Sequence, residues 1–343
     1  MNRTLLAAAL LGALSGAASA QSSVTIFGVL DLSLRYVDND SAGDLSSVST
    51  DGLQGSRIGF RGVEDLGGGL KAGFWLEAGL NPDTGTSNAK FWNRRSTVML
   101  SHNTLGELRL GRDYTATFWN LSTFDPFGPS GIGTSTNLFP AAISSQPVQT
   151  LVRADNVVGY YLPATLGGVY GQVQYAFGEG DNNNRYVGGR IGYAAGPLDV
   201  AVAYGQTWTN TSERLTTLDA GATWDFGDFK LFSEYADLKY AQWSRKNYVI
   251  GATVNVGPGA IRTSYAYSAF DGPACPATVM TCDDATMLNI GYVYNLSKRT
   301  AVYSTAAFID NGDAAAIALP GGPPGMKVGE RSSGFEAGIR HNF

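Results

Sequence analysis

The chain of 343 residues carries a formal net charge of −5, and charged residues make up only 15% of it, against about 25% in an ordinary soluble domain. Glycine (44 residues) and tyrosine (17 residues) are abundant, and no run of roughly 18 apolar residues follows the N-terminal segment, which excludes a bundle of transmembrane helices. This composition fits a transmembrane β-barrel better than a soluble domain.

The first twenty residues have the pattern of a secretory signal peptide. Arg3 supplies a positive charge, residues 5–14 form an apolar stretch, and the small residues 18–20 provide a cleavage site. A membrane-anchoring helix, which is the alternative, needs about 20 apolar residues, and this stretch is shorter. The sequence therefore predicts an exported protein whose mature part, 21–343, is a single barrel.

Beyond this segment, apolar residues alternate with polar or small ones at a period of two. Leu288, Ile290 and Tyr292 share one parity, for example, while Asn289 and Gly291 share the other. A helical stripe would recur at i+3 and i+4 instead. About sixteen segments of roughly ten residues follow this pattern, as membrane-barrel strands do. They lie near 23–37, 55–65, 70–80, 91–102, 106–113, 153–162, 168–177, 185–194, 197–208, 215–226, 228–240, 243–256, 259–270, 285–296, 299–309 and 331–343. The predicted fold is all-β, an antiparallel transmembrane barrel of about 16 strands.

The connections between these segments alternate between short and long. Short ones, such as 66–69, 103–106 and 194–197, are rich in residues that tolerate turn dihedrals, and we expect them to face the periplasm. Longer polar stretches, as expected of extracellular loops, lie at 38–54, 81–90, 178–184, 209–214, 271–284 and 310–330.

The third long connection, 111–153, differs from the others. Four prolines between 126 and 147 forbid ordinary ladder pairing, and several aromatic residues argue against disorder. Irregular stretches longer than about 12–15 residues in a compact fold are usually functional or disordered. We predict a packed insert over 114–152 that folds inward against the barrel wall.

Cys275 and Cys282 lie close together in the predicted loop 271–284. In an oxidising compartment they can form a disulfide. Because so short a link closes a small loop, we expect it to reduce the mobility of that loop without supporting the barrel.

Several segments resemble a known family. The last predicted strand ends on Phe343, with Phe335, Ala337, Ile339 and His341 on the same parity. This terminal aromatic, together with VTIFGVLDLSLRY (24–36), NRRSTVML (93–100), GELRLGR (106–112) and RADNVVGY (153–160), is similar to the general-diffusion porins of Gram-negative outer membranes, nearest to those of beta-proteobacteria. The resemblance covers the whole mature chain.

The resemblance implies an outer membrane channel for passive diffusion of small hydrophilic solutes and ions. It also implies contact with membrane lipid and lipopolysaccharide, a homotrimer, no cofactor and no nucleic-acid partner. We place the early strands 24–36 and 56–65 at the trimer contact, where Gly28 and Gly62 would let neighbouring walls approach. In the family the third loop narrows the pore opposite a basic wall cluster, which makes Asp125 the loop-side carboxylate.

The third loop departs from the better-known enterobacterial pattern at this carboxylate. The sequence DPFG (125–128) stands in place of a Pro-Glu-Phe-Gly motif, so the acidic residue precedes the proline. The placement of the Asp125 side chain is therefore less firmly implied than the fold.

Strand parity assigns several charged residues to the lumen. Arg57 and Arg61 on the second segment and Arg95 on the fourth have the parity opposite to their apolar neighbours. Arg57, Arg95 and Arg153 lie about eight or nine residues from the nearest predicted periplasmic turn, so their heights agree within about one residue. Glu77 reaches nearly the same level with inward parity. These residues form the predicted pore constriction.

Arg61, Arg94 and Arg112 are additional candidates, although simple alternation points Arg94 and Arg112 outward. A single lumen arginine is as readily a solvated or carboxylate-paired side chain, but three at one depth favour a role in selectivity. Rings of arginine favour anions. The net charge argues weakly for cations, yet much of the acid lies in loops, where solvent screens charge beyond about 8 Å. The local cluster therefore predicts anion preference.

Two alternatives compete with this reading. A barrel hydrolase would need a base, and the two histidines, His102 and His341, lie near strand ends, with no G-x-S-x-G motif or metal-ligand spacing in the sequence. A substrate-specific channel for organic anions or sugars is the closer alternative. For sugars, Trp75 has lumen parity, but one ring does not make a binding slide.

Overall fold

A computed structural model describes residues 23–139, 150–209, 213–273 and 282–343. The predicted signal peptide and Cys275 lie outside these ranges, so the cleavage and the disulfide stay predictions. Within them, no helix has the length and the apolar run that crossing a membrane requires.

Within the described ranges, eighteen strands form one antiparallel sheet. They are β1 (Ser23–Asp38), β2 (Asp44–Thr50), β3 (Arg57–Gly67), β4 (Leu70–Asn81), β5 (Thr86–Ser87), β6 (Arg95–His102), β7 (Gly106–Tyr114), β8 (Arg153–Tyr161), β9 (Val169–Ala176), β10 (Tyr186–Ala195), β11 (Leu198–Trp208), β12 (Arg214–Asp225), β13 (Phe229–Tyr240), β14 (Trp243–Val256), β15 (Gly259–Asp271), β16 (Ala285–Asn295), β17 (Thr300–Asn311) and β18 (Arg331–Asn342).

The sheet closes into a barrel because its first and last strands pair. Leu30 of β1 lies opposite His341 of β18, and the pairing continues to Asp38 opposite Ser333. Strands β2 and β3 share one position beside β1, and β5 pairs only with the end of β4. The barrel therefore has 16 strand positions, which confirms the predicted fold class.

The second strand position is interrupted by residues 51–56, a feature that the sequence reading missed. It predicted a loop over 38–54, whereas β2 (44–50) pairs with the upper part of β1 before the chain leaves the sheet. Asp31 stabilises this interrupting segment, since its Oδ2 accepts hydrogen bonds from the backbone N–H groups of Leu53 (2.9 Å) and Gln54 (2.6 Å). The polar composition of β2 concealed the strand because its apolar residues do not alternate.

Two faces alternate along each strand, as the period of two predicts. On β17, Val302 and Phe308 are exposed on the outer face, while Tyr303, Thr305 and Ala307 are buried on the lumen side. Exposed apolar side chains on the outer face match contact with lipid, and polar side chains gather inside.

The third long connection is folded over its described part. Helix α1 (Ala116–Thr123) begins after Thr115, whose side chain accepts a hydrogen bond from the Phe118 N–H, and a 3₁₀ helix covers Ser135–Leu138. Helix α1 contacts β10, β11 and β12. The loop thus packs on the lumen parity of these strands, since the Tyr186 hydroxyl lies 3.3 Å from the Thr117 hydroxyl.

The tip of this loop is tied to the place where the barrel closes. Glu336 of β18 accepts hydrogen bonds from Arg35 of β1 through Oε2 (2.8 Å from Nη2), and from the Ile132 N–H of the loop through Oε1 (3.3 Å). Ile132 and Leu138 also belong to a buried apolar cluster with Ile317 and Leu319 of the last long connection. That connection, predicted as a polar loop, therefore packs against the third loop.

Candidate functional site

Two cavities inside the barrel mark the course of a pore. The outer cavity has a volume of about 480 Å³ and is lined by residues that include Arg35 and Arg153, which lie toward the ends of their strands at long loops. The inner cavity, of about 590 Å³, is lined by Trp75, Arg262 and other residues nearer the short turns.

The boundary between the two cavities is defined by the residues that line both. We call this set the eyelet. Its members are Gly55, Arg94 and Tyr114 on the barrel wall, and Phe118, Pro129 and Ser130 on the third loop. The barrel wall and the third loop both contribute side chains at this boundary.

Glu77 and the Tyr114 hydroxyl organise the arginines at the eyelet. Glu77 Oε1 accepts a hydrogen bond from Arg94 Nε at 2.6 Å and lies 3.5 Å from Arg57 Nε, while its Oε2 accepts from the Trp75 indole N–H at 3.0 Å. The Tyr114 hydroxyl accepts from Arg94 Nη2 and from Arg153 Nη2, each at 2.9 Å. One carboxylate thus serves two arginines, and a neutral hydroxyl holds the third.

A second carboxylate, Asp113 of β7, contacts one arginine on its own strand and one on β6. Its Oδ2 lies 2.6 Å from Arg109 Nη1, and its Oδ1 lies 3.4 Å from Arg95 Nε. Arg109 also donates from Nε to Glu107 at 2.7 Å. The sequence reading missed Arg109, although its parity, opposite to Leu108 and Leu110, is the signal that would have placed it in the lumen.

Among the residues that the structure describes, the lumen arginines without an ion pair to a carboxylate include Arg61, Arg153, Arg262 and Arg340. The guanidinium carbon of Arg61 lies 5.4 Å from the ring centre of Phe27 and 5.3 Å from that of Trp75. Arg262 and Arg340 line the inner cavity together with Arg57. Arg262 was not found from the sequence.

Arg94 and Arg112 show why simple alternation fails at these two positions. Arg94 precedes the first residue of β6, so strand parity does not fix its side chain. Arg112 lies at a bulge between Gly111 and Asp113. Its Nε donates to the Asn93 carbonyl and its Nη1 to Asp155 Oδ1, both at 2.7 Å, so it is a wall residue that lines neither cavity.

Asp125 is buried within the loop rather than directed freely into the gap. Its Oδ1 accepts from the Phe127 N–H, and its Oδ2 accepts from the N–H and the hydroxyl of Ser135, all at 2.7 Å. Burial raises the pKa of this carboxyl above its usual value, while the hydrogen bonds from Ser135 oppose that rise. The side chain therefore joins the two halves of the loop.

Comparison with known proteins identifies the family. A family model described as Gram-negative porin matches residues 7–314. The chain belongs to the family of Gram-negative porins. This porin is 38% identical to outer membrane porin protein 32 of Delftia acidovorans over the whole of both chains.

Solved structures agree with this assignment. An anion-selective porin from Comamonas acidovorans, 36% identical, superposes with a TM-score of 0.82 and covers 94% of this chain and 100% of its own. OmpT of Vibrio cholerae in a trimer form shares the fold, with a TM-score of 0.70, 16% identity, and coverage of 94% of this chain and 99% of its own. The protein is thus an outer membrane channel, as its fold and family predict.

The structure brings together six of the eight predicted site residues of the porin. Those that line one or both cavities are Arg57, Glu77, Arg94, Arg95, Asp125 and Arg153. Arg61 lies on the lumen side without lining either cavity, and Arg112 is held in the wall by Asp155.

Proposed function

We propose that this porin is an anion-preferring general-diffusion channel whose third loop, 114–152, folds inward as its constriction. The observation that carries the proposal is an excess of guanidinium groups at the eyelet and in the cavity walls next to it. Glu77 serves Arg57 and Arg94, and the group beside them, Arg153, has a neutral hydroxyl as its partner.

The excess acts through electrostatics alone. In a narrow aqueous gap with low-dielectric walls, fixed charges interact with an ion more strongly than they do in bulk water, and arginine rings favour anions. Transport is passive and needs no covalent step. The relative from Comamonas acidovorans is described as anion-selective, which supports the same preference here.

Little negative charge opposes these arginines near the eyelet. Asp51, in the outer cavity, has no arginine partner among the described residues, but its Oδ1 accepts from the Thr50 hydroxyl at 2.7 Å and from the Ser56 N–H. These bonds fix the carboxylate against the wall. We expect it to weaken the preference for anions without reversing it.

Reversal potentials in planar bilayers under a KCl gradient test the proposal. The triple variant Arg57→Gln, Arg95→Gln, Arg153→Gln should fold, because Arg94 still pairs with Glu77 and Arg109 still pairs with Asp113. Its reversal potential should move toward that of a cation-preferring channel. A triple variant that keeps the wild-type reversal potential would overturn the assignment of these residues.

The structure also determines the best control for this experiment. Arg340 is not a suitable control, because it lines the inner cavity with Arg57. Arg331 is a better choice, because it is exposed and pairs with Asp310 (2.8 Å) where solvent screens both charges. Arg331→Gln should leave the reversal potential unchanged.

We further propose a homotrimer with β1 and β3 at the contact. Exposed Val24, Ile26 and Leu34 give β1 an apolar outer face. Gly28 and Gly62 do not leave this face open, however: a Cβ on either would lie 2.2 Å from the Phe343 ring or 2.6 Å from the Phe74 ring of the same chain. Unheated samples on a semi-native gel should migrate far above 36 kDa, and a monomer at all detergent concentrations would contradict the trimer.

We favour a channel over an enzyme, because the histidines contact turn and strand-end groups. His102 Nε2 lies 3.2 Å from the Gly68 carbonyl oxygen, and His341 Nδ1 lies 2.9 Å from the Thr300 hydroxyl. Neither lines the two cavities. A lumen base of the kind that a hydrolase needs is therefore not supplied by them.

A further inference from the structure

We propose that the eyelet recognises aromatic carboxylates, holding the ring on Phe118 and Trp119 of the third loop and the carboxylate on the arginines opposite. This inference rests on the anion-preferring channel proposed above and names a class of solute for it. It begins from the difference in chemistry between the two sides of the gap.

The loop side of the gap is aromatic. The Phe118 ring stacks on the ring of Tyr114 from the wall, with their centres 5.5 Å apart and their planes 10° apart, and Trp119 lies 5.2 Å from Tyr114. Trp119 is 36% exposed, a high value for a tryptophan inside a barrel. Both Phe118 and Trp119 line the inner cavity, so their surfaces are available to a solute.

Helix α1 fixes these rings in place. Its buried residues, Thr117, Asn120 and Leu121, face the barrel wall, and Asn120 Oδ1 accepts a hydrogen bond from Arg190 Nε at 2.8 Å. Residues at i+1 on a helix project in a different direction, so anchoring this face turns Phe118 and Trp119 toward the lumen. The aromatic surface is preorganised by the fold.

The wall side supplies the charge at the matching place. The guanidinium carbon of Arg153 lies 4.3 Å from the Tyr114 ring centre, and its Nη2 donates to the Tyr114 hydroxyl. Arg94 donates to the same hydroxyl. An aromatic acid whose carboxylate binds Arg153 and Arg94 would therefore have its ring next to the stacked rings of Tyr114 and Phe118.

This pairing of surfaces selects for a solute with one charged end and one planar apolar end. A chloride ion uses the arginines alone, and an aliphatic acid gains apolar contact without stacking. An aromatic acid gains both, because offset or edge-to-face ring contacts contribute about 0.5–1.5 kcal/mol beyond the burial of area. Conduction requires that the solute leave again, so we expect weak, rapidly reversible binding.

The test compares benzoate with cyclohexanecarboxylate, which carries the same charge on a saturated ring of the same number of carbons. Each is added to a single channel that conducts chloride in a planar bilayer at neutral pH. Benzoate should reduce the chloride current at a concentration about threefold to tenfold lower than cyclohexanecarboxylate does, as the ring-contact energy predicts.

Two variants assign this difference to the loop. In Phe118→Leu and in Trp119→Leu the benzoate advantage should shrink toward onefold. Trp208→Leu is the matched control, because Trp208 lies between Arg185 and Arg214, each 4.7 Å from its ring, yet lines neither cavity. It should keep the full advantage.

The outcomes separate the two proposals. Equal block by the two acids in a wild-type channel that prefers anions would overturn the aromatic site alone. A wild-type channel without anion preference would overturn the proposed function. Loss of the benzoate advantage in Trp208→Leu would also overturn the site, because it would place ring recognition at the rim. If Phe118→Leu does not fold, Trp119→Leu decides the result.

Discussion

On both sides of the lumen every second residue of a strand points inward, but the inward residues differ between the two sides. From β3 to β8 the wall carries arginines held by Glu77, Asp113 and the Tyr114 hydroxyl, and it borders the two cavities. From β11 to β16 the wall instead carries glycines where the third loop covers it. We call these the arginine wall and the covered wall.

The covered wall receives the loop through these glycines. A Cβ on Gly205 would lie 2.9 Å from Thr117, and one on Gly221 would lie 2.2 Å from the Phe124 ring. A Cβ on Gly251 would lie 2.7 Å from Pro126. The comparison shows that one wall lacks side chains where the loop packs on it, while the other wall carries the charged side chains.

The strongest way to break this arrangement is to restore a side chain on the covered wall. Gly221→Ala puts a methyl group into the Phe124 ring, and overpacking of this kind typically destabilises by about 1–3 kcal/mol. We expect the loop to be displaced, with a lower melting temperature and a higher single-channel conductance.

Gly189→Ala is the matched control for that variant. Gly189 lies on the lipid parity, and its Cβ would meet nothing closer than 3.1 Å. It should fold with unchanged conductance. If the two variants behave alike, the glycines of the covered wall do not position the loop.

Asp125→Asn tests the loop itself. An asparagine keeps one acceptor oxygen where the carboxylate has two, so either the Phe127 N–H or the Ser135 groups lose a partner, at a cost of about 1–3 kcal/mol. If the carboxylate faced the gap, its neutralisation would shift the selectivity toward anions. We expect a larger change in melting temperature than in reversal potential, and the reverse ranking would show that the charge acts on ions directly.

Glu77→Gln tests the contribution of a carboxylate on the arginine wall. It removes the charge that Arg57 and Arg94 share, and hydrogen bonds to charged groups contribute about 1.5–3 kcal/mol. The variant should melt at a lower temperature and prefer anions more strongly in the KCl gradient. An unchanged reversal potential would mean that this carboxylate does not contribute to the field in the gap.

The same substitution on the covered wall should have the smallest effect. Glu234 is buried, and neither of its carboxylate oxygens has a hydrogen-bond partner among the described residues. A buried unpaired charge is unfavourable, so Glu234→Gln should leave the melting temperature unchanged or raise it slightly. Because Glu234 lines neither cavity, the reversal potential should stay the same, and a shift comparable to that of Glu77→Gln would contradict the two-wall description.

The strands were predictable because lipid on one side and water on the other impose a period of two on any spanning segment. The predicted segment 299–309 corresponds to β17 (Thr300–Asn311), for example. The same rule failed for β2, which lies toward the long-loop end of β1, where leucine and valine no longer alternate with polar residues.

The site was predictable only as far as parity holds. Arg57 and Arg95 line the inner cavity as parity indicates, whereas Arg94 depends on a loop and Arg112 on a bulge, neither of which alternation describes. Likewise, the need for glycine at a lumen position such as 221 depends on the loop side chain that packs over it. The sequence does not show which strand the loop crosses.

The link through Glu336 has a consequence for assembly of the protein. One oxygen of this carboxylate binds Arg35 of the first strand, and the other binds the Ile132 N–H at the tip of the third loop. These bonds can form together only after the last strand has joined the first. A partly assembled barrel thus lacks this anchor, and the third loop gains it only when the barrel closes.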